Sequence, residues 1–211
     1  LSAGPILTHA KAGADLVAVG KRAQRPSPKQ QAVSRLLLDF AQTGGHIVRL
    51  KSGDGGVFGR LEEELVALRS ANIAHEIIPG VSSACAAAAA AGIPLTRRLT
   101  ARRIQFITGH DNNGQLPEDI NLSALADPGA TTIVFMGKRT FSQLQKQLEQ
   151  HGLPPNTPAL LAEAVSTPQQ TLTRTTIRAL AEQLEGDIST LPALCLLYTS
   201  PSPRDQDASR M

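Results

Sequence analysis

Short runs of aliphatic and β-branched residues alternate with longer segments of helical periodicity along most of this chain. Strands that alternate with helices favour a mostly parallel sheet whose faces the helices cover. The sequence therefore predicts the α/β class. In the first half the predicted elements are a strand over 15–19, a helix over 28–43, a strand over 46–50, a helix over 61–70, a strand over 74–78 and an alanine-rich helix over 82–91.

A second series of the same kind begins near Thr100, after a connection around residues 94–100. The length of the chain and its two series of elements predict two α/β domains, at residues 1–98 and 99–197, without an internal repeat. Residues 198–211 form an atypical polar, proline-rich tail. The predicted elements are strands over 104–108, 132–136 and 159–163, a helix over 141–151, an edge strand near 171–176, a helix over 177–185 and a last strand over 192–197.

The composition argues against several kinds of partner. The formal net charge of +3, no Trp and a single Tyr give little support for a nucleic-acid-binding protein. No apolar stretch is long enough for a membrane span, and we expect no signal peptide. Cys85 and Cys195 are far apart, and the histidines lack metal-ligand spacing, so no metal is expected. A reducing, cytoplasmic setting fits this pattern.

One glycine-rich loop, Lys51 to Arg60, follows a predicted strand and leads into a predicted helix. Cofactors bind at this position in open α/β sheets, yet the loop matches neither the P-loop nor the dinucleotide fingerprint. Asp54 is able to accept hydrogen bonds from a ligand or to hold the loop together. The pattern alone leaves a binding loop and a structural turn equally open.

Two further segments have a structural and a functional interpretation. Ser82 and Ser83 follow Pro79-Gly80-Val81 at the start of a predicted helix, where a serine caps the helix or free N–H groups face a ligand. Met136 ends a predicted buried strand. Its side chain either packs in the core or lines an adenosine pocket.

Taken together, several ordered segments resemble the uroporphyrinogen-III C-methyltransferases. The resemblance covers Leu1 to about Leu197. The matching segments are Val19-Gly20-Lys21-Arg22-Ala23, residues 47–54, Val57-Phe58-Gly59-Arg60, residues 78–84, residues 91–98, Thr108-Gly109-His110, Phe135-Met136-Gly137 and Thr167-Pro168-Gln169-Gln170.

This resemblance implies a two-domain tetrapyrrole methylase fold, usually a homodimer, with S-adenosylmethionine in a cleft between the domains. It implies C-methylation of uroporphyrinogen III to precorrin-2, on the route to siroheme or cobalamin. Lys21 matches the family's proton donor, and Arg22, Arg60 and Arg97 are candidates for binding the substrate carboxylates. The residues that match cofactor contacts are Ser52, Gly53, Asp54, Val57, Ser82, Ser83, Met136 and Val165.

The chain departs from the family pattern at several points. Gly55 stands where the family usually has proline, which predicts a looser loop, and Val165 stands where glycine is frequent. The family's first strand, its loop and its proton-accepting Asp would precede Leu1, so we expect the chain as printed to be inactive. Two alternatives stay open: another enzyme of this fold, such as a precorrin methyltransferase or a diphthine synthase, and a non-catalytic remnant.

Overall fold

The computed structural model of the chain describes residues 5–19, 30–186 and 189–198. The chain divides into two compact units, Leu1–Ser82 and Ser83–Met211.

The regular secondary structure described in the first unit consists of helices. It contains a 3-10 helix, Pro5–His9, and two α-helices, α1 at Gln30–Ala41 and α2 at Leu61–Ser70. Three glutamates in the first turn of α2 and Arg69 in its last turn oppose the charges at the ends of the helix dipole. Both helices were predicted, and α2 has the predicted bounds.

The predicted strands of the first unit are not found, since the described residues up to Ser82 include none. The apolar runs at 15–19, 46–50 and 74–78 have no ladder partner, and Val48 and Ile78 are 73% and 74% exposed. An apolar run shows only that a segment suits a sheet. Pairing also requires a neighbouring strand in register at hydrogen-bonding distance, which local sequence does not specify.

The second unit is built on a five-stranded sheet with the order β1-β2-β5-β3-β4. All five strands were predicted, and β4 lies at an edge as expected. The strands are β1 at Arg103–Thr108, β2 at Ala130–Phe135, β3 at Pro158–Glu163, β4 at Thr171–Thr176 and β5 at Ala193–Leu197.

The α/β class is confirmed, but the strand pairing of this sheet corrects the expectation of a mostly parallel one. Only β1 and β2 pair in parallel; β2 with β5, β5 with β3, and β3 with β4 are antiparallel. The connection over 164–170 is too short for a parallel crossover, so β4 returns antiparallel to β3. The helix that follows β4 then carries β5 back parallel to β4, into the gap between β2 and β3.

Helices cover both faces of this sheet. The helices are α3 at Ser83–Ala91, α4 at Leu122–Leu125, α5 at Phe141–Gln150 and α6 at Ile177–Glu185. Ile133 and Leu160 pack with alanines of α3, whereas their neighbours Val134 and Leu161 pack with α5 and α6. The two cores therefore follow from the alternation of side chains along each strand.

Helix α3 belongs to the same compact unit as the sheet, since its alanines pack against the strands; this unit begins at Ser83. Compactness does not show that a segment folds independently, so the domain boundary near residue 98 stays a prediction. Short α4 was not predicted; it begins after Asn121, whose side chain accepts a hydrogen bond from the Ala124 N–H at 3.0 Å. In the described part of the chain, no helix combines the length and apolarity that a membrane span needs.

The two thiols differ in accessibility, which gives a direct test of the second unit. Cys85 is exposed on α3, whereas Cys195 is buried in β5, where burial raises its pKa to about 12. Because the thiolate is the nucleophile, a thiol with a raised pKa stays protonated and unreactive at pH 8. We expect iodoacetamide to alkylate Cys85 but not Cys195 in the folded protein, and both in urea, as peptide mass mapping would measure. Rapid labelling of Cys195 without urea would contradict this placement.

Candidate functional site

The glycine loop of the first unit is held by Asp54. Its Oδ1 accepts the Gly56 N–H at 2.7 Å, and its Oδ2 accepts the Gly80 N–H at 3.0 Å. The carboxylate therefore closes a local turn and ties the loop to a segment 26 residues further along the chain. Of the two roles that sequence left open for Asp54, holding the loop is the one these contacts display.

Close backbone approach explains two glycines of the loop region. A Cβ on Gly80 would lie 2.0 Å from the Gly53 carbonyl oxygen, and a Cβ on Gly59 would lie 2.4 Å from that of Gly55. No side chain fits at either position without moving backbone. Gly53 itself has φ +66°, in the region that favours glycine.

Beneath the loop lies a buried carboxylate. Glu64 of α2 is 2% exposed, and its Oε2 lies 2.9 Å from the Lys51 Nζ. Its Oε1 lies 3.3 Å from the Arg49 Nε and 3.2 Å from the Gln30 Nε2. Lys51 also donates to the Gly59 carbonyl at 2.5 Å. These contacts join the loop to α1 and α2.

Arg60 follows the loop directly, and its guanidinium pairs with Glu63. The Nε and one terminal nitrogen donate to the two carboxylate oxygens at 2.8 and 2.7 Å, on an exposed surface. Hydrogen bonding to Glu63 raises the pKa of Arg60. The pair is exposed, so breaking it costs little.

In the second unit, the backbone segments that follow β1 and β2 lie in close contact. A Cβ on Gly109 would lie 2.4 Å from the Gly137 Cα, and a Cβ on Gly137 would lie 2.6 Å from a Val134 methyl carbon. The Thr140 hydroxyl, which is buried, donates to the Gly109 carbonyl. The segments Thr108-Gly109-His110 and Phe135-Met136-Gly137 are therefore neighbours because the parallel strands end together.

Met136 is exposed at this end of the sheet. It is 45% exposed and has φ 55°, an uncommon conformation for a residue with a side chain. Its carbonyl lies 3.1 Å from the His110 Nδ1. Of the two interpretations of Met136, packing in the core is therefore excluded, because the side chain is exposed. Strained residues that the surroundings hold in place are often functional.

The end of β3 has a similar irregular turn. Ala164 and Ser166, on either side of half-buried Val165, have φ 46° and 65°. The Glu163 Oε1, at the last position of β3, lies 2.7 Å from the Lys138 Nζ, in a pair whose side chains are about one-sixth exposed. This pair links the turn after β3 to the segment after Met136.

The predicted site residues divide into three groups. Ser52, Gly53, Asp54 and Val57 share the glycine loop, and Ser52 and Gly53 are exposed there. Met136 and Val165 follow β2 and β3, two strands that run in the same direction with β5 between them. Their roles, and those of the remaining residues, stay predictions.

The remaining predicted residues lie elsewhere. Ser82 is buried directly before α3, which begins at Ser83. Arg97 is half-buried and forms a tight turn with Ala101 through backbone hydrogen bonds of 2.7 and 3.2 Å. Lys21 and Arg22 lie outside the described residues.

Sequence reasoning did not find Lys51, Glu64 and Gly80 as parts of this arrangement. One signal was present for Glu64. It lies three residues after Leu61 and four before Leu68, on the apolar face of α2. An acidic residue at such a position predicts a buried ion pair.

The chain belongs to the tetrapyrrole (corrin/porphyrin) methylases. The model of this family matches residues 5–181, which include both the glycine loop and the ends of β1, β2 and β3. Siroheme synthase 1 of Aeromonas hydrophila is 41% identical over 177 residues, which are 84% of this chain and 38% of that protein. The chain thus spans well under half the length of that relative.

Two solved structures have the same fold. The uroporphyrin-III C-methyltransferase of Thermus thermophilus, complexed with S-adenosylhomocysteine, matches with a TM-score of 0.69 and 33% identity, over 81% of this chain and 74% of that one. A cobalt-precorrin-4 methyltransferase of cobalamin biosynthesis matches with a TM-score of 0.76 and 25% identity, over 92% of this chain and 78% of that one.

Proposed function

We propose that this chain transfers methyl groups from S-adenosylmethionine to carbon atoms of uroporphyrinogen III, forming precorrin-2. The observation that carries the proposal is the glycine loop. The loop is packed so closely that a Cβ on Gly80 would lie 2.0 Å from the Gly53 carbonyl oxygen, and it occurs in a chain 33% identical to a methyltransferase solved with S-adenosylhomocysteine. Precorrin-2 would then serve siroheme or cobalamin synthesis.

The residues suit this methyl donor. S-adenosylmethionine presents an adenosine and an amino-acid group, which need backbone hydrogen bonds together with apolar surface. Ser52 and Gly53 offer exposed backbone, and Val57, Met136 and Val165 offer apolar side chains that are exposed or half-buried. Ser82 and Ser83 are further candidates for its polar groups. In the proposal these residues contact the donor.

When bound, S-adenosylmethionine supplies a methyl group on a sulfonium that is ready to pass to an electron-rich carbon. The protein's own contribution is to orient the substrate and to manage a proton. Arg60, with Arg22 and Arg97, would bind the substrate's carboxylates. Lys21 would supply a proton to the tetrapyrrole. We also propose a homodimer and a cytoplasmic location.

To test the proposal, a family-typical segment is grafted before Leu1, and this protein, which is used for every turnover measurement below, is incubated with uroporphyrinogen III and methyl-labelled S-adenosylmethionine under anaerobic conditions. We expect label in a tetrapyrrole that carries two added methyl groups, identified by mass after oxidation. The absence of labelled tetrapyrrole, from protein that binds S-adenosylhomocysteine, would reject this substrate. The absence of binding as well would reject the methyl-transfer function.

One observation favours a second candidate, a methyltransferase that acts on a precorrin. The backbone matches the cobalt-precorrin-4 enzyme with the higher TM-score of the two structures, although its identity is lower, at 25% against 33%. Side chains, rather than the shared backbone, select a substrate, so the identity favours uroporphyrinogen III. Offering both tetrapyrroles in the labelling assay separates the two candidates.

Replacing Lys21 tests its proposed role as proton donor. We expect Lys21→Ala to lower kcat by about 10²-fold or more, the usual contribution of a positioned acid, without changing the affinity for S-adenosylhomocysteine. Single-turnover methyl transfer and calorimetric titration measure the two quantities. Lys11→Ala, in an exposed segment of the first unit, is the control. Equal losses in turnover and cofactor affinity would assign Lys21 a different role.

A further inference from the structure

Glu64 occupies a position where an apolar residue would serve stability at least as well. The side chain lies on the apolar face of α2 and is 3% exposed. Taking a carboxylate and its partners out of water is costly, and buried ion pairs are often no more stabilising than well-packed apolar side chains. A contribution to stability alone therefore does not account for the pair. Its partner Lys51 also contacts the glycine loop.

Lys51 spans the glycine loop from one end to the other. It immediately precedes Ser52, and its ammonium donates to the carbonyl of Gly59, eight residues further on, at 2.5 Å. Its stem passes beneath the loop, since a Cβ on Gly55 would lie 3.0 Å from the Lys51 Cδ. The same ammonium is anchored by the Glu64 Oε2 at 2.9 Å.

This arrangement separates two tasks within the loop. Asp54 closes the turn at Gly56 and ties the loop to Gly80, whereas Lys51 joins the two ends of the loop. A charged donor to a carbonyl makes a stronger hydrogen bond than a neutral one. Arg49 and Gln30 hold Glu64 from the other side, at 3.3 and 3.2 Å, so the anchor has little freedom to move.

We infer that Lys51, held by Glu64, is a positioning residue that keeps the loop over residues 52–59 in its binding conformation. This inference rests on the proposed function for the part that concerns the cofactor. Neither side chain needs to touch S-adenosylmethionine. A loop with free ends must be ordered when the ligand binds, and that cost lowers affinity.

The test compares the charge-neutral double variant Lys51→Met/Glu64→Gln with the wild-type chain. Removing both charges leaves the net charge unchanged. Arg49 loses its carboxylate partner but is 30% exposed and keeps its hydrogen bond to the Leu50 carbonyl, so we expect the unit to stay folded while the Gly59 carbonyl loses its donor. We expect affinity for S-adenosylhomocysteine to fall about tenfold, the equivalent of one charged hydrogen bond. KM for S-adenosylmethionine should rise with little change in kcat. Amide exchange at Gly56 and Val57 should become faster, while exchange in α2 stays unchanged.

Two further variants sharpen the comparison. Glu62→Gln makes the same chemical change on an exposed carboxylate of α2 and should behave as wild type. Lys51→Arg keeps a charged donor and should retain most of the affinity that the double variant loses.

The outcomes distinguish a failure of the inference about Lys51 from a failure of the proposed function. Unchanged loop exchange in the double variant overturns the inference, and so does faster exchange throughout α2, which indicates general unfolding. Faster loop exchange with unchanged affinity also overturns it, because loop order then has no bearing on binding. If the wild-type chain binds no S-adenosylhomocysteine, the proposed function fails, and loop exchange still decides whether Lys51 orders the loop.

Discussion

Gly80→Ala is expected to weaken S-adenosylhomocysteine binding by at least about tenfold. The added methyl group would lie 2.0 Å from the Gly53 carbonyl oxygen and 3.0 Å from its carbon, and neither atom belongs to a flexible side chain. The two backbone segments must separate, which lengthens the hydrogen bond from the Gly80 N–H to Asp54. Overpacking of this kind costs about 1–3 kcal/mol. The strain falls on the loop that we propose binds the cofactor.

Gly45→Ala is the matched control for this prediction. The nearest atoms to its added methyl group would lie 3.9 Å away, an ordinary van der Waals distance. Calorimetric titration of both variants measures the affinity. Amide exchange in α2 shows whether the first unit, which contains both glycines, remains folded, and urea unfolding followed by the emission of Tyr198 shows whether the second unit does. This reporter is specific, because the chain has one Tyr and no Trp, and Tyr198 is buried beside the sheet. Affinity in Gly80→Ala within twofold of wild type would contradict the close approach.

Phe141→Ala is expected to lower the free energy of unfolding of the second unit by about 3–5 kcal/mol. Phe141 begins α5 and is fully buried in the core that α5 and α6 form with the sheet. Truncation removes apolar contacts and leaves a cavity, because strands and helices on several sides hold the walls apart. The same emission of Tyr198 in urea measures the loss.

Leu99→Ala serves as the control for Phe141→Ala. Leu99 is 83% exposed, so truncating it should change the free energy of unfolding by no more than about 0.5 kcal/mol. A loss below about 1 kcal/mol in Phe141→Ala would contradict its central position, since a large buried aromatic side chain rarely costs so little.

The elements of the second unit were predictable because their signals are local. All five strands and the helices α5 and α6 lie within a few residues of their predicted positions. Alternating apolar residues bury one side of a strand, and apolar residues at helical spacing bury one side of a helix, wherever the chain packs. In the first unit the same reasoning found α1 and α2 but predicted three strands that do not pair. Strand formation depends on a partner distant in sequence, whereas a helix satisfies its own backbone.

The candidate site shows the same division. The glycine loop and its position between a predicted strand and α2 were evident from the order of residues. The distant partner of Asp54 was not, since Gly80 lies 26 residues away. Nor were the partners of Glu64, since Lys51, Arg49 and Gln30 come from two other parts of the chain.

By itself, the sequence determined the α/β class, the family resemblance and the segments that contain the candidate site, because each depends on residue types at short spacing. Only the tertiary structure decided the strand order, the antiparallel position of β5 between β2 and β3, and the anchoring of the loop by Glu64. These features arise from contacts between distant segments. Many such pairings satisfy the same local pattern, and the packing of the whole unit selects among them.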